Sequence, residues 1–318
     1  MKIKREQILN ALAENGFIVI FLSWCIFLSM AAPNFLTFNN LMTLLRQASI
    51  IGVVAIGEAL IVLLGAGMDV SLAAILGLSG VFTALALVNL GLPLPAAAAI
   101  GLGAGGAVGL GNGVLVTRVR INGIVVTLGM MYALEGVAFM LTRGQTIFGN
   151  SLETLAPLSR GYLGPAPVPV IILFLFYAAA YYALNYTVFG ARVYAVGCNE
   201  QASRLSGINI TRLRLAGYAL AGALAGFGGI MQAARMGSAT GSMGQEFLFP
   251  ILTAVILGGV SLQGGRGKIQ NVLVAAVFLS SIANGLVLLN VPIYAQKIIS
   301  GAILVLALSL DRLRRGAK

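Results

Sequence analysis

The chain lacks histidine altogether and is poor in charge. Of its 318 residues only 9% are Asp, Glu, Lys or Arg, against about 25% in an ordinary soluble domain. Without histidine there can be no imidazole general base, His-based triad or His metal site. Cysteine is nearly absent too. Cys25 and Cys198 form no disulfide framework and no clustered thiolate site. Scarcity of charge also excludes disorder, because disordered chains are charge-rich and apolar-poor. What is present is apolar. Hydrophobic residues make up 59% and mean hydropathy is +0.97. With 41 glycines, which membrane helices use for close backbone approach, the composition reads as an all-α polytopic membrane protein.

A membrane span needs about 20 largely apolar residues. The sequence offers ten candidates, at roughly 15–32, 45–65, 70–90, 93–116, 121–142, 168–187, 214–233, 247–263, 269–289 and 292–310. Pro33, Pro93, Pro95, Pro165, Pro169 and Pro292 mark boundaries. Glu58 weakens 45–65, and 247–263 is short and glycine-broken, so counts of eight or nine stay open. The basic start (Lys2, Lys4, Arg5) resembles a signal peptide. However, the apolar run begins only near Phe17, contains Trp24 and lacks a small-x-small cleavage pattern, so it reads as a retained first span.

Charge supplies sidedness. With ten spans and both termini cytoplasmic, Lys2, Lys4, Arg5, Arg118, Arg120, Arg192, Arg204, Arg212, Arg214, Arg266, Lys268, Arg312, Arg314, Arg315 and Lys318 lie inside, fifteen of the twenty positive residues. Arg46, Arg143, Arg160, Arg235 and Lys297 fall outside or near outer ends. This agrees with the positive-inside rule. The net charge of +11 is therefore an orientation signal that needs no nucleic-acid partner.

Two loops exceed a turn. The external one, 143–167, could hold a short interfacial helix or be a connector. The internal one, 188–213, contains a helical stretch over 199–206. Asn199 is a plausible cap, Glu200 suits the helix start, Ala202 and Leu205 share a face, and Gly207 ends the turn. A cytoplasmic helix of this kind suits docking to a partner, though a plain scaffold loop fits too. The chain has no phosphate-binding GxxxxGK[ST] loop of its own.

The run from Tyr194 through Gly197, Cys198, Asn199, Glu200, Ala202, Arg204, Leu205 and Gly207 to Ile208 resembles the coupling-loop signature of ribose-type ABC sugar importer permeases. Gly65-Ala66-Gly67-Met68-Asp69-Val70-Ser71 is similar to that family's Gly-Gly-Ile-Asp-Leu-Ser motif. Gly111-Asn112-Gly113, Val125 to Met130, Ala254 to Gly259 and Gly264 to Gly267 also match. Departures occur at Ala66 and Cys198, usually glycine, and at Leu72-Ala73. The resemblance runs nearly end to end. It implies a permease with no enzyme activity and no cofactor of its own, with ATP and Mg bound by partner ATPase subunits. It also implies a periplasmic or lipid-anchored solute-binding protein and a second permease, either another copy or a sister chain, in a bacterial inner membrane. The 197–208 helix would seat in the ATPase, and the glycines at 65, 67, 258, 259, 264 and 265 would flex or contact it. Relatives of this kind carry ribose, xylose, arabinose, galactose, rhamnose or autoinducer-2. The segment Ser238 to Pro250 is nearer the last two.

Charges at membrane depth cost about 2.5–3.5 kcal/mol on insertion scales. Glu58 and Glu135 therefore either face a pathway or are structurally paired. An ion- or proton-coupled secondary transporter using one of them is the alternative to an ATP-driven importer. Asp69 could cap the third span or make a gating contact. Asn112, Asn122, Thr127, Asn284 and Asn290 could meet a polyhydroxyl solute or bond helix to helix. Gly222 and Gly226 form a Gly-x-x-x-Gly pair in a small-residue ridge, and 101–113 is similarly glycine-dense. On the coupling reading, charge reversal at Glu200 or Arg204 is expected to impair ATPase coupling while leaving membrane insertion intact, as measured by ATP-driven uptake alongside membrane yield.

Overall fold

The structure is a computed structural model that describes residues 20–316. The basic residues Lys2, Lys4, Arg5 and Lys318, and the first part of the 15–32 span, lie outside the described residues. Helices dominate: α1 (Ile20–Ala31), α2 (Phe38–Leu63), α3 (Leu72–Val88), α4 (Leu94–Thr117), α5 (Gly123–Thr142), α6 (Ala156–Arg160), α7 (Val168–Tyr186), α8 (Val188–Cys198), α9 (Glu200–Leu205), α10 (Ile210–Met236), α11 (Leu248–Leu257), α12 (Ile269–Leu288) and α13 (Ile293–Gly316). The one sheet among the described residues is a two-stranded hairpin, β1 (Tyr162–Leu163) with β2 (Ala166–Pro167). It lies in the 143–167 segment beside α6 and a 3-10 turn, Asn150–Leu155.

Among the described residues, six helices are long and apolar enough to cross a membrane: α2, α4, α5, α7, α10 and α12. This corrects the count of about ten, and three of the four candidates that fall away, all but 292–310, do so for reasons visible in the chain. Asp69 and Ser71 turn the backbone before the third span, leaving α3 with 17 residues. Gly258 and Gly259, the latter at φ +78°, stop α11 after 10 residues. The described part of the first span is the short Ile20–Ala31.

Proline and asparagine place the helix starts. Pro93 and Pro95 open α4, Pro167 and Pro169 open α7, and the Asn122 side chain accepts the Ile124 N–H at 3.0 Å to cap α5. Each is a backbone arrangement with no missing donor, since a proline at the first turn removes an N–H that would have no partner.

Burial sorts the helices. Every residue of α2 from Ala48 to Leu63 is buried, and α3 is nearly all buried. A helix that is apolar all round belongs inside a large apolar assembly. By contrast α4, α5 and α7 turn Ile100, Leu110, Val125, Met140, Phe174 and Leu175 outward, as lipid-facing helices do.

The centre is α10, packed against α4, α3 and α2. Small residues make this possible. A Cβ on Gly105 would strike the Gly222 carbonyl, and one on Gly222 would strike the Gly105 carbonyl and lie 2.9 Å from Gly109 Cα. The glycine-dense 101–113 stretch and the Gly222/Gly226 ridge are therefore the two sides of one interface. Without a hydrophobic drive between helices in lipid, such backbone-close van der Waals contact is the main source of adhesion. At the far end of α2, Asn40 and Asn284 exchange two amide hydrogen bonds, at 2.9 and 2.8 Å, tying α2 to α12. Gly222→Val is expected to destabilise the folded chain by roughly 1–3 kcal/mol or more, read as a lowered melting temperature in detergent. Gly103→Val, where a Cβ meets nothing within 4 Å, is expected to leave it unchanged.

Candidate functional site: a backbone junction beneath a short exposed helix

The segment after α7 folds into two short helices because its capping residues are in place. Thr187 accepts the Gly190 N–H to start α8, and the Asn199 side chain accepts the Ala202 N–H at 3.0 Å to start α9. Glu200 stands in the first turn of α9 and Arg204 in its last, matching the helix dipole. Gly207, at φ +81°, then turns the chain into α10. Ala202, Arg204 and Leu205 face outward, and Leu205 is 90% exposed. Ser203, on the opposite face, is buried.

Where α8 ends, three segments far apart in sequence touch backbone to backbone. A Cβ on Gly197 would collide with the Leu63 carbonyl and the Gly265 N–H. The Gly265 N–H itself donates to the Leu63 carbonyl at 2.9 Å. Gly264, at φ +90°, brings its backbone so close that a Cβ would lie 2.7 Å from Gly65 Cα and 3.1 Å from the Gly197 carbonyl. Cys198 Sγ donates to the Gly265 carbonyl at 3.3 Å. Three of the glycine positions singled out in the sequence, Gly65, Gly264 and Gly265, thus meet at Gly197. Gly258 packs instead against Val272, and Gly67 and Gly259 have open space on their Cβ side.

An ionic staple holds α9 against this junction. Glu200 pairs with Arg204 at 3.0 Å and with Arg214 at 2.9 Å. Arg214 is the more buried of the two arginines, with 17% of its side chain exposed against 66% for Arg204. It also reaches the Leu64 and Gly65 carbonyls, each at 3.4 Å. It therefore joins α9, α10 and the carbonyl end of α2, where a cation is favoured. Tyr218, one turn further along α10, donates to the Ala66 carbonyl at 3.3 Å. Partial burial alone would raise the Glu200 carboxyl, but Arg214 and Arg204 outweigh it and hold the group below its ordinary value of 4.5. A depressed carboxylate adds stability that is full above 4.5 and is lost as pH falls through the lower folded value.

A second polar cluster lies inward, at the turn between α2 and α3. Both Glu58 carboxylate oxygens accept the Asp69 N–H at 3.2 Å. Asp69 accepts the Ser71 N–H at 2.8 Å and the Ser71 hydroxyl at 2.5 Å. Asn112 on α4 donates to Ser71 Oγ at 2.8 Å and Asp69 at 3.3 Å, while Thr127 on α5 accepts the Val70 N–H at 3.2 Å. Glu58, Asp69, Ser71, Asn112 and Thr127 are each no more than 1% exposed. Glu58, Asn112 and Thr127, three of the candidate pathway residues, thus meet at this one turn, whereas Asn284 is apart, paired with Asn40. Glu135 is half-buried on α5 and, among the described residues, belongs to neither cluster.

The sequence reading did not single out Arg214 or Tyr218 as site residues. Their partners lie 14 to 152 positions away, so no helical spacing announces them. Basic residues from separate segments, Arg120, Arg204 and Arg214, line one groove of about 440 Å³ with Thr117, Glu200 and Thr211.

Arg214→Gln is expected to free α9, raising hydrogen–deuterium exchange of the 199–208 amides about tenfold or more, in line with about 1.5–3 kcal/mol for a hydrogen bond to a charged group. Arg204→Gln, which removes an exposed pair worth at most about 1 kcal/mol, is expected to change it far less. In the unsubstituted chain the same amides are expected to stay protected at neutral pH and to lose protection only below about 4.5.

A family profile described as branched-chain amino acid transport system / permease component matches residues 40–308. The ribose import permease protein RbsC of Escherichia coli K12 is 35% identical over 94% of this chain and 94% of its own length. RbsC of Bacillus subtilis is 37% identical, covering 90% and 89%. The L-arabinose ABC transporter permease protein AraH of Azospirillum brasilense is 37% identical, covering 98% and 90%. No solved structure matches. With this coverage and its membrane-length helices, the chain is a multi-pass membrane protein and belongs to the family of transport-system permease components.

Proposed function

We propose that the chain is the membrane-spanning subunit of an ABC importer that moves a monosaccharide or sugar-like solute into the cytoplasm. Separate ATPase subunits bind ATP and Mg and supply the work. A periplasmic or lipid-anchored binding protein delivers the solute, and a second copy or a sister permease completes the pathway in a bacterial inner membrane. The ribose and L-arabinose permeases it resembles support a sugar as cargo.

One observation carries the reading. The helix α9 presents Leu205 to the outside on one face, while the adjoining Gly197 is locked backbone to backbone onto α2 and the loop before α12. A partner gripping α9 would move those segments directly. On this reading 188–213 is the cytoplasmic coupling loop and 143–167 is external, within one permease domain, and both termini are cytoplasmic. Each end gathers three arginines, Arg120, Arg204 and Arg214 at the α9 end and Arg46, Arg160 and Arg235 at the other, so that sidedness rests on the charge count along the whole sequence. The remaining crossings would come from α1 with the residues before it, α3, α11 and α13. Ion coupling through Glu58 gains no support, because both its oxygens are engaged with the Asp69 N–H deep in the protein.

The test is reconstitution in vesicles with and without the sugar-type ATPase and the binding protein. The expected result is uptake that needs ATP and the whole assembly. Gradient-driven uptake by the chain alone would sink the reading.

A further inference from the structure

Among the described residues, three arginines at the other end of the helices have no ion-pair partner. Arg46 on α2, Arg160 in the last turn of α6 and Arg235 in the last turn of α10 line one cavity of about 200 Å³. Its remaining walls are Thr43, Ser159, Ile50, Leu158, Pro169 and Met231. Among the described residues the ion pairs are both at Glu200, and none of the three guanidinium groups has a hydrogen-bond or ion-pair partner. Arg46 lies 4.8 Å over the Tyr162 ring, and its Nε is buried with no acceptor. A helix carboxyl end accounts for a cation at 160 and at 235. It does not account for Arg46, which is inside α2 with an enclosed donor unpaired, a costly state. These residues are also three of the five that depart from the positive-inside pattern.

Height along the helices narrows the ligand. Arg46 stands about 25 Å up α2 from Leu63 and Arg235 about 30 Å up α10 from Arg214, at 1.5 Å per residue. A bilayer's hydrocarbon core is about 30 Å thick. The pocket therefore sits at the headgroup boundary opposite the α9 junction. Guanidinium forks match phosphate oxygens two at a time, and basic pockets between membrane helices suit anionic head groups. The apolar wall of Ile50, Leu158, Pro169 and Met231 would accept glycerol and acyl carbons, and half-exposed Tyr162 is an interfacial aromatic.

We propose that this pocket is a phosphate site occupied by the head group of an anionic phospholipid. The lipid supplies the missing counter-charge and joins α2, α6 and α10 at the membrane surface.

Native mass spectrometry of the purified full chain tests this, with phosphatidylglycerol and phosphatidylcholine of matched acyl chains offered as probes. The expected result is at least tenfold preferential retention of phosphatidylglycerol. The preference is expected to fall at least tenfold in an Arg46→Gln/Arg160→Gln/Arg235→Gln chain and to survive in Arg143→Gln. Because the triple change could impair folding, Arg235→Gln alone, at an exposed position, is expected to lower retention about threefold or more. Millimolar inorganic phosphate is expected to leave the lipid bound. Equal retention of the two lipids, unchanged retention in the substituted chains, or displacement by inorganic phosphate alone would each overturn the assignment.

Discussion

Everything at the α9 end depends on one contact, the seating of Gly197 against the carbonyl of Leu63 and the backbone of Gly264 and Gly265. No side chain intervenes, so there is no rotamer to absorb a displacement. Close-packed interiors transmit strain, and a contact made by main chains on both sides does so with the least slack. The Gly265 N–H bond to Leu63 closes the remaining gap. A push on α9 therefore reaches the end of α2 and the loop before α12 together.

Beyond the contact, the turn between α2 and α3 decides what that push can do. Glu58, Asp69, Ser71, Asn112 and Thr127 bind the turn to α2, α4 and α5 through hydrogen bonds that no water can replace, since each residue is almost fully enclosed. The polar groups cross-brace a joint that glycine would otherwise leave loose. Around it, α10 packs against α4 on a surface made of Gly101, Gly105, Gly109, Gly222 and Gly226. Glycine thus does two different jobs. At 197, 264 and 265 it permits a junction, and along α4 and α10 it permits a close, smooth interface.

Local features were readable from the sequence, and distant partners were not. The short helix near 200, with Asn199 at its start and Ala202 and Leu205 on one face, follows from capping chemistry and 3.6-residue spacing. The matched glycine ridges were visible as ridges, though not as partners of each other. The number of membrane-length helices was overestimated because hydropathy alone does not register where Gly258 and Gly259, or the Asp69–Ser71 turn, interrupt an apolar run. Glu58 and Asn112 looked like pathway residues because a buried polar group announces itself without announcing its partner. Arg214 was counted only as a charge, since its partners Glu200, Leu64 and Gly65 are brought to it by the fold.

The central claim is that this backbone junction carries work from the ATPase into the membrane helices. Gly197→Ala in the complete transporter, with uptake and ATP hydrolysis measured on the same vesicles, tests it most directly. The added methyl would collide with the Leu63 carbonyl while leaving the exposed face of α9 intact. The account predicts that the ATPase still binds and hydrolyses ATP while uptake falls at least tenfold. Uptake per ATP equal to that of the unsubstituted chain would contradict it.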